Sequence, residues 1–260
     1  MTYKNLQISL EEGIAVVTIN REKARNALNT ETMLELRDFF GDHALAIEGL
    51  KGVVLTGAGD KAFVAGADIT EFRDLDSQQG ADFARRGQQI FFLIERFHRP
   101  VVAAVNGYAL GGGCELAMAC HLRIAGEKAF FGQPEVKLGL IPGYGGTQRL
   151  IQLIGKTKAL ELLMTAEIIG ANEAHQLGLV NYVVPSGAEI ARAKELIEKI
   201  AAKAPVAIAK VIEAVNAYYE AAHGGYVAEV SAFGECCDTS DFREGAAAFL
   251  EKRPAQFRGK

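Results

Sequence analysis

Buried strands and helical segments take turns along most of this 260-residue chain. Gly52-Val53-Val54-Leu55-Thr56-Gly57 and Pro100-Val101-Val102-Ala103-Ala104-Val105 are short apolar runs bounded by glycine or proline. A strand covered on both faces reads this way, because neither side meets water. Between them, Phe83, Ile90, Phe91, Ile94 and Phe97 recur at helical spacing within 78–99. Residues 30–47 show the same spacing, with Thr30 expected as N-cap, and 7–20 reads as a hairpin about Glu11-Glu12-Gly13. Further strands are expected at 122–125 and 180–184. Alternation of this kind implies an α/β fold with a parallel sheet and right-handed crossovers.

After Pro185 the character changes. Residues 187–203, 205–222 and 226–236 read as helices rich in Ala, Glu and Lys. A last helix is expected from Phe242 to Lys252, with Asp241 and Glu244 forming a capping-box-like start. The expected division is an α/β core over 1–185, holding the active site, and a helical region over 186–260.

Hydrophobic residues at 49% and charged residues at 23% exclude a disordered chain. A net charge of −4 gives no overall case for a nucleic-acid partner. No apolar run is long enough to span a membrane, and the polar start lacks a signal core. Four cysteines do not make a disulfide framework at this size. The cytoplasm is the expected compartment; a matrix protein shorn of its transit peptide would read the same.

Gly57-Ala58-Gly59-Asp60-Lys61-Ala62 matches a dinucleotide fingerprint, but Phe63-Val64-Ala65-Gly66-Ala67 does not start the helix that it requires. The five histidines share no ligand spacing, so no metal site is expected.

The chemistry is concentrated elsewhere. Gly111-Gly112-Gly113 precedes a helix whose only polar residue before Cys120 is Glu115. Glycines allow close approach, and a helix N-terminus offers free N–H groups to negative charge. Glu115 is either a buried carboxylate with raised pKa or a structural partner of an arginine such as Arg149. Glu135 lies among Pro134, Val136, Leu138, Leu140, Ile141 and Pro142, just before the turn Gly143-Tyr144-Gly145-Gly146-Thr147. Two carboxylates in apolar settings suit general acid and base work. The small residues of 62–69 follow a buried strand, where α/β proteins bind ligands or simply turn tightly.

These segments together resemble the enoyl-CoA hydratase (crotonase) family. The matching stretches are 24–28, 62–69, 106–116, 132–150 and 244–253, so the resemblance spans nearly the whole chain. It implies a crotonase-like spiral of ββα turns, with C-terminal helices that build a homotrimer or a homohexamer made of two trimers. It implies that the N–H groups of Ala67 and Gly112 form an oxyanion hole for a thioester carbonyl. Glu115 is then the base that activates water toward C3, and Glu135 delivers a proton to C2. Ala24, Arg25, Leu28, Ala65, Asp68, Ile69 and Gly143 are implied around the acyl-CoA substrate. Phe249 and Lys252 are expected at a neighbouring subunit's CoA. Coenzyme A is part of the substrate, and no separate cofactor is implied. Thr70 and Pro254 depart from residues common in relatives, which bears on phosphate contacts.

The reaction implied is reversible hydration of trans-2-enoyl-CoA to 3-hydroxyacyl-CoA. Δ3-Δ2 isomerisation is the first rival, and a non-catalytic CoA- or RNA-binding member the second; the glutamate pair favours hydration. Phe72, Phe91, Phe92, Ile141 and Tyr144 are expected to wall the acyl pocket. Bulky Tyr144 favours short or medium chains.

Overall fold

The computed structural model describes residues 3–220 and 223–257. The chain opens with the hairpin β1 (Leu6–Glu11) and β2 (Ile14–Ile19), turned by Glu12 and Gly13, both at positive φ. Helix α1 (Thr30–Asp38) is capped by the Asn29 side chain, which accepts from Thr32 N, rather than by Thr30. The helix expected to reach residue 47 changes at Phe39–His43 into a π turn and then a 3-10 turn at Ala44–Ala46. Phe39 and Phe40 are both fully buried. Adjacent residues of a regular α-helix point about 100° apart, so a widened turn allows both rings to face inward.

Then the chain winds in a repeating spiral. Strand β3 (Gly52–Gly57), β4 (Ala62–Val64) and α2 (Ser77–Glu95) make one turn. Strand β5 (Val101–Val105), β6 (Tyr108–Leu110) and α3 (Gly112–Ala119) make the next. Strands β7 (Leu122–Gly126) and β8 (Phe130–Gly132) lead to α4 (Gly146–Ile154) and α5 (Lys156–Thr165). Strand β9 (Ile168–Gly170), α6 (Ala171–Gln176) and β10 (Tyr182–Val184) close the sheet region. The long strands form one sheet in the order β1-β2-β3-β5-β7-β10, and the short ones another, β4-β6-β8-β9. All pairings are parallel except β1–β2 and β8–β9. This is the ββα spiral that the family resemblance implies.

Both faces of the large sheet are covered, which explains its unbroken apolar strands. Val53, Leu55, Val101 and Ala103 point into the main core with α1, α2 and α3. Val54, Val102 and Ala104 point the other way, against Ala193 and Ile197 of α7 (Glu189–Ala201). Helices α8 (Pro205–Glu220), α9 (His223–Cys237) and α10 (Ser240–Glu251) follow. Thr239, not Asp241, caps α10 by accepting from Phe242 N, and Glu244 pairs instead with Arg253. Among the described residues, no helix is long and apolar enough to cross a membrane.

Gly57, which opens the fingerprint-like run 57–62, has a packing role, and the run leads into the strand β4 (Ala62–Val64) and not into a helix. A Cβ on Gly57 would collide with the carbonyls of Ala62 and Phe63, where β3 passes over β4. Gly113 lets α3 lie against β4, since a Cβ there would meet the Val64 carbonyl. Gly113→Ala is therefore expected to destabilise the fold by about 1–3 kcal/mol through overpacking. Denaturant unfolding measures this, and an unchanged midpoint would show that α3 can back away.

Candidate active site

Helix α3 is buried at every residue, because strands β4, β6 and β7 and helices α2 and α4 pack against it. Gly111, at φ +50, turns the chain into it from β6. Gly112 is its first residue, so its N–H belongs to the first turn, which has no intrahelical acceptor. The Ala67 amide lies opposite. A methyl on Gly112 would sit 3.4 Å from Ala67 N and 3.4 Å from the Tyr144 ring. Residues 65–68 are stitched to 25–28 by Ala65 N to Arg25 O, Leu28 N to Gly66 O and Asp68 N to Leu28 O. That ladder uses the N–H groups of Ala65 and Asp68 and the carbonyl of Gly66, and none of its bonds takes the N–H of Ala67, which lines the pocket.

Glu115 is 2% exposed. Its Oε1 accepts from Tyr144 N at 2.8 Å and Gly146 N at 2.7 Å. Arg149 is not its partner. That guanidinium donates to Tyr144 O at 2.7 Å and pairs with Glu95 at 2.9 Å. Glu135 begins a 3-10 turn, Glu135–Leu138, directly after β8 and Pro134. Its Oε1 reaches over Gly111, where a Cβ would approach it to 2.6 Å. Gln133 is buried beside it. With its amide nitrogen facing the carboxylate, Gln133 donates to both Glu135 oxygens at 3.1 and 3.2 Å.

The two glutamates line one pocket of roughly 160 Å³ together with Ala65, Ala67, Ile69, Gly112 and Gly143. Phe72, Phe83, Leu140, Tyr144, Phe233 and Phe249 supply its apolar walls. Burial pushes the Glu115 carboxyl well above its usual range, with the charges of Glu135 and Glu229 adding to it against the two amide donors. Burial likewise pushes Glu135 up to about 8, helped by the charge of Glu229. Two carboxyls that share one apolar pocket resist ionising together, so the arrangement can offer an acid beside a base.

The other residues singled out in the sequence divide. Arg25 and Ala24 are exposed beside the Ala65 rim. Leu28 is buried in the main core. Asp68 faces Arg21 at 3.0 Å and Thr70, and those contacts hold its carboxyl below the usual value although burial opposes them. Phe249 stands on the pocket wall of its own chain, and Lys252 is exposed at the end of α10. Of the expected wall residues, Phe72 and Tyr144 are in place, whereas Phe91 lies behind Tyr144 in the core. Phe92 faces away, under Arg149 and Tyr226. Phe83, Phe233, Gln133 and Glu229 were not legible as site residues. Val227, two residues before Glu229, is exposed and Val230, one residue after it, is buried, so the local pattern does not mark Glu229 either way.

A larger cavity of roughly 440 Å³ lies between α8 and the far end of α3. Its charged groups are spent on the fold. Arg123 donates to the carbonyls of Cys120 and Leu179, and Arg149 to Glu95. Among the described residues, no group of three side chains is placed to hold a metal ion.

This fold and this paired-carboxylate pocket can be set beside known proteins. The profile of the enoyl-CoA hydratase/isomerase family matches residues 9–260. The chain is 46% identical to a crotonyl-CoA hydratase of Syntrophomonas wolfei, over the whole of both chains. It is 47% identical to a short-chain-enoyl-CoA hydratase of Clostridium acetobutylicum, covering 97% of each. The crystal structure of an enoyl-CoA hydratase from Mycobacterium avium subsp. paratuberculosis superposes with a TM-score of 0.87 at 29% identity, covering 99% of this chain and 100% of that one. The chain belongs to the enoyl-CoA hydratase/isomerase family, the crotonase family.

Proposed function

We propose that the chain is an enoyl-CoA hydratase, adding water reversibly and syn to short trans-2-enoyl-CoA thioesters. The observation that carries this reading is that Glu115 and Glu135, both with raised proton affinity, line one pocket with Ala67 and Gly112. The N–H groups of Ala67 and Gly112 receive the thioester oxygen as negative charge builds on it. Glu115 takes a proton from water as the oxygen attacks C3, and Glu135 gives its proton to C2. Isomerisation moves a proton between carbons and needs no second carboxylate, so the pair favours hydration. Water addition leaves the overall oxidation state unchanged, so the reading calls for no redox cofactor. Tyr144, Phe83 and Phe233 crowd one another at the pocket, which suits a short acyl chain, as do the names of the two hydratases above.

The chain assembles, in this reading, as a trimer or a pair of trimers. Support comes from α8, whose Val206, Val211, Val215 and Tyr218 are all more than half exposed. A stretch this apolar is normally covered by another copy. The four free thiols suit a reducing compartment such as the cytoplasm.

The test is loss of enoyl-thioester ultraviolet absorbance on mixing with crotonyl-CoA. Rapid loss with formation of 3-hydroxybutanoyl-CoA is expected, and binding without loss would refute the reading.

The pH dependence follows from Glu135. Its carboxyl titrates near 8 in the fold against 4.5 for the free group. Between these values the folded chain holds a proton that the unfolded chain has lost, so stability falls as pH rises through that window. Turnover in the hydration direction falls on the alkaline side of about 8, as the proton donor is lost. A kcat–pH profile and thermal unfolding across the same range check both; a rate still rising above pH 9 would contradict this assignment.

A further inference from the structure

The turn from Gly143 to Thr147 is held by two carboxylates, not one. Its amides alternate between them. Tyr144 N and Gly146 N donate to Glu115 Oε1. Gly145 N donates to Glu229 Oε1 at 2.5 Å, and Thr147 N to Glu229 Oε2 at 2.8 Å. The Thr147 hydroxyl and the Gln88 amide, at 3.0 Å, complete the shell of Glu229. Gln88 also donates to Gly143 O at 3.2 Å. Glu229 comes from α9, far along the chain, is 3% exposed, and does not line the pocket.

We propose that Glu229 is a positioning residue for hydration: it fixes the Gly143–Thr147 turn so that the Tyr144 and Gly146 amides hold Glu115 in the orientation that accepts the water proton. The inference rests on the hydratase reading, and on Glu115 as its base. Consecutive peptide units aimed in turn at two carboxylates share their torsions, so neither set of bonds can shift without the other. An acceptor-only group is needed at Glu229, because both backbone groups and Gln88 present donors to it. A glutamine there would turn an NH2 toward one of them and leave a buried donor unmatched. The charge of Glu229 also adds to the proton affinity of Glu115 and Glu135.

A residue that only capped α4 would contribute to stability and leave the chemical step alone. The experiment is a double-mutant cycle on the full chain, with Glu229→Gln, Glu115→Gln and the pair. It measures kcat and KM with crotonyl-CoA and Kd for the unreactive butanoyl-CoA. Glu229→Gln is expected to lower kcat about 10–100-fold, with KM and Kd within about 3-fold, as for an interaction made in the transition state. On the Glu115→Gln background the same change is expected to cost less than about 2-fold, because the group through which it acts is gone. Wild-type kcat in Glu229→Gln would overturn the inference, as would losses that multiply fully in the pair. If Glu229→Gln fails to fold, Thr147→Val removes the hydroxyl donor and keeps the amide. It is expected to lower kcat about 3–10-fold with the same non-additivity, and independent losses would again overturn the inference. Wild-type turnover in Glu115→Gln alone would refute the base assignment, and the inference with it; independence in the cycle refutes the inference and leaves the hydratase reading standing.

Discussion

Glu135→Gln is expected to lower hydration of crotonyl-CoA by about 10²–10⁴-fold, the range that a positioned acid or base supplies. The substitution keeps the shape of the side chain and removes the only proton that it can give to C2. Little else in the pocket can replace that proton. Glu115 lies on the same wall but, in the proposed reaction, is the group that accepts the water proton, and Tyr144 is held with its hydroxyl far less acidic than usual by burial. Lys137 also lines the pocket but is exposed to solvent, and the remaining side chains of the walls are apolar. Butanoyl-CoA binding is expected to stay within about 3-fold, since the loss falls on the transition state alone. The fold is expected to gain stability at alkaline pH, where the variant no longer buries a third negative charge beside Glu115 and Glu229. Steady-state turnover beside a binding titration separates these outcomes. Undiminished turnover in a folded variant would take Glu135 out of the chemistry.

Gly112→Pro is expected to cost about 10²–10³ in kcat, the usual effect of losing one oxyanion donor. A backbone N–H cannot be deleted by an ordinary side-chain change, but proline deletes it and sets its Cδ where the hydrogen pointed, so both the lost donor and that carbon weigh against the oxyanion. The position tolerates the ring for a physical reason. Gly112 is the first residue of α3, where a missing N–H breaks no helical bond and the fixed φ suits the helix. The Cβ it adds finds its nearest neighbours at 3.4 Å, an ordinary contact. Gly112→Ala is the control: it adds the same Cβ and keeps the donor, and is expected to lose far less. Equal losses in both variants would assign the effect to crowding against Tyr144, not to the amide.

Much of this site is legible in the amino-acid sequence. The triple glycine and the apolar run after it mark α3 as a buried helix with one carboxylate, and it is buried throughout. The isolation of Glu135 among prolines and aliphatic residues marks a second. That the two meet depends on β6 and β8 lying side by side, which no local pattern encodes. The pocket's aromatic walls escape for a related reason. Helical spacing places Phe83, Phe91 and Phe92 on α2, but only the packed neighbours decide which ring faces substrate, core or Arg149. Helix boundaries differ where side chains outvote the repeat. Phe39 and Phe40 widen the end of α1, and the Asn29 and Thr239 caps displace Thr30 and Asp241 by a residue or two. Glu229 is the least legible, because its burial is created by α2 and by the turn before α4, both distant in sequence.

Hydration requires that solvent oxygen enter the substrate at C3. Crotonyl-CoA turned over in oxygen-18 water is the direct measurement, with the product read by mass spectrometry. One labelled oxygen is predicted in the 3-hydroxyl group, none in the thioester carbonyl, and hardly any product with Glu115→Gln or Glu135→Gln in place of the wild type. Consumption or rearrangement of the enoyl-CoA without uptake of label would contradict hydration, for then the two glutamates would move protons without adding water.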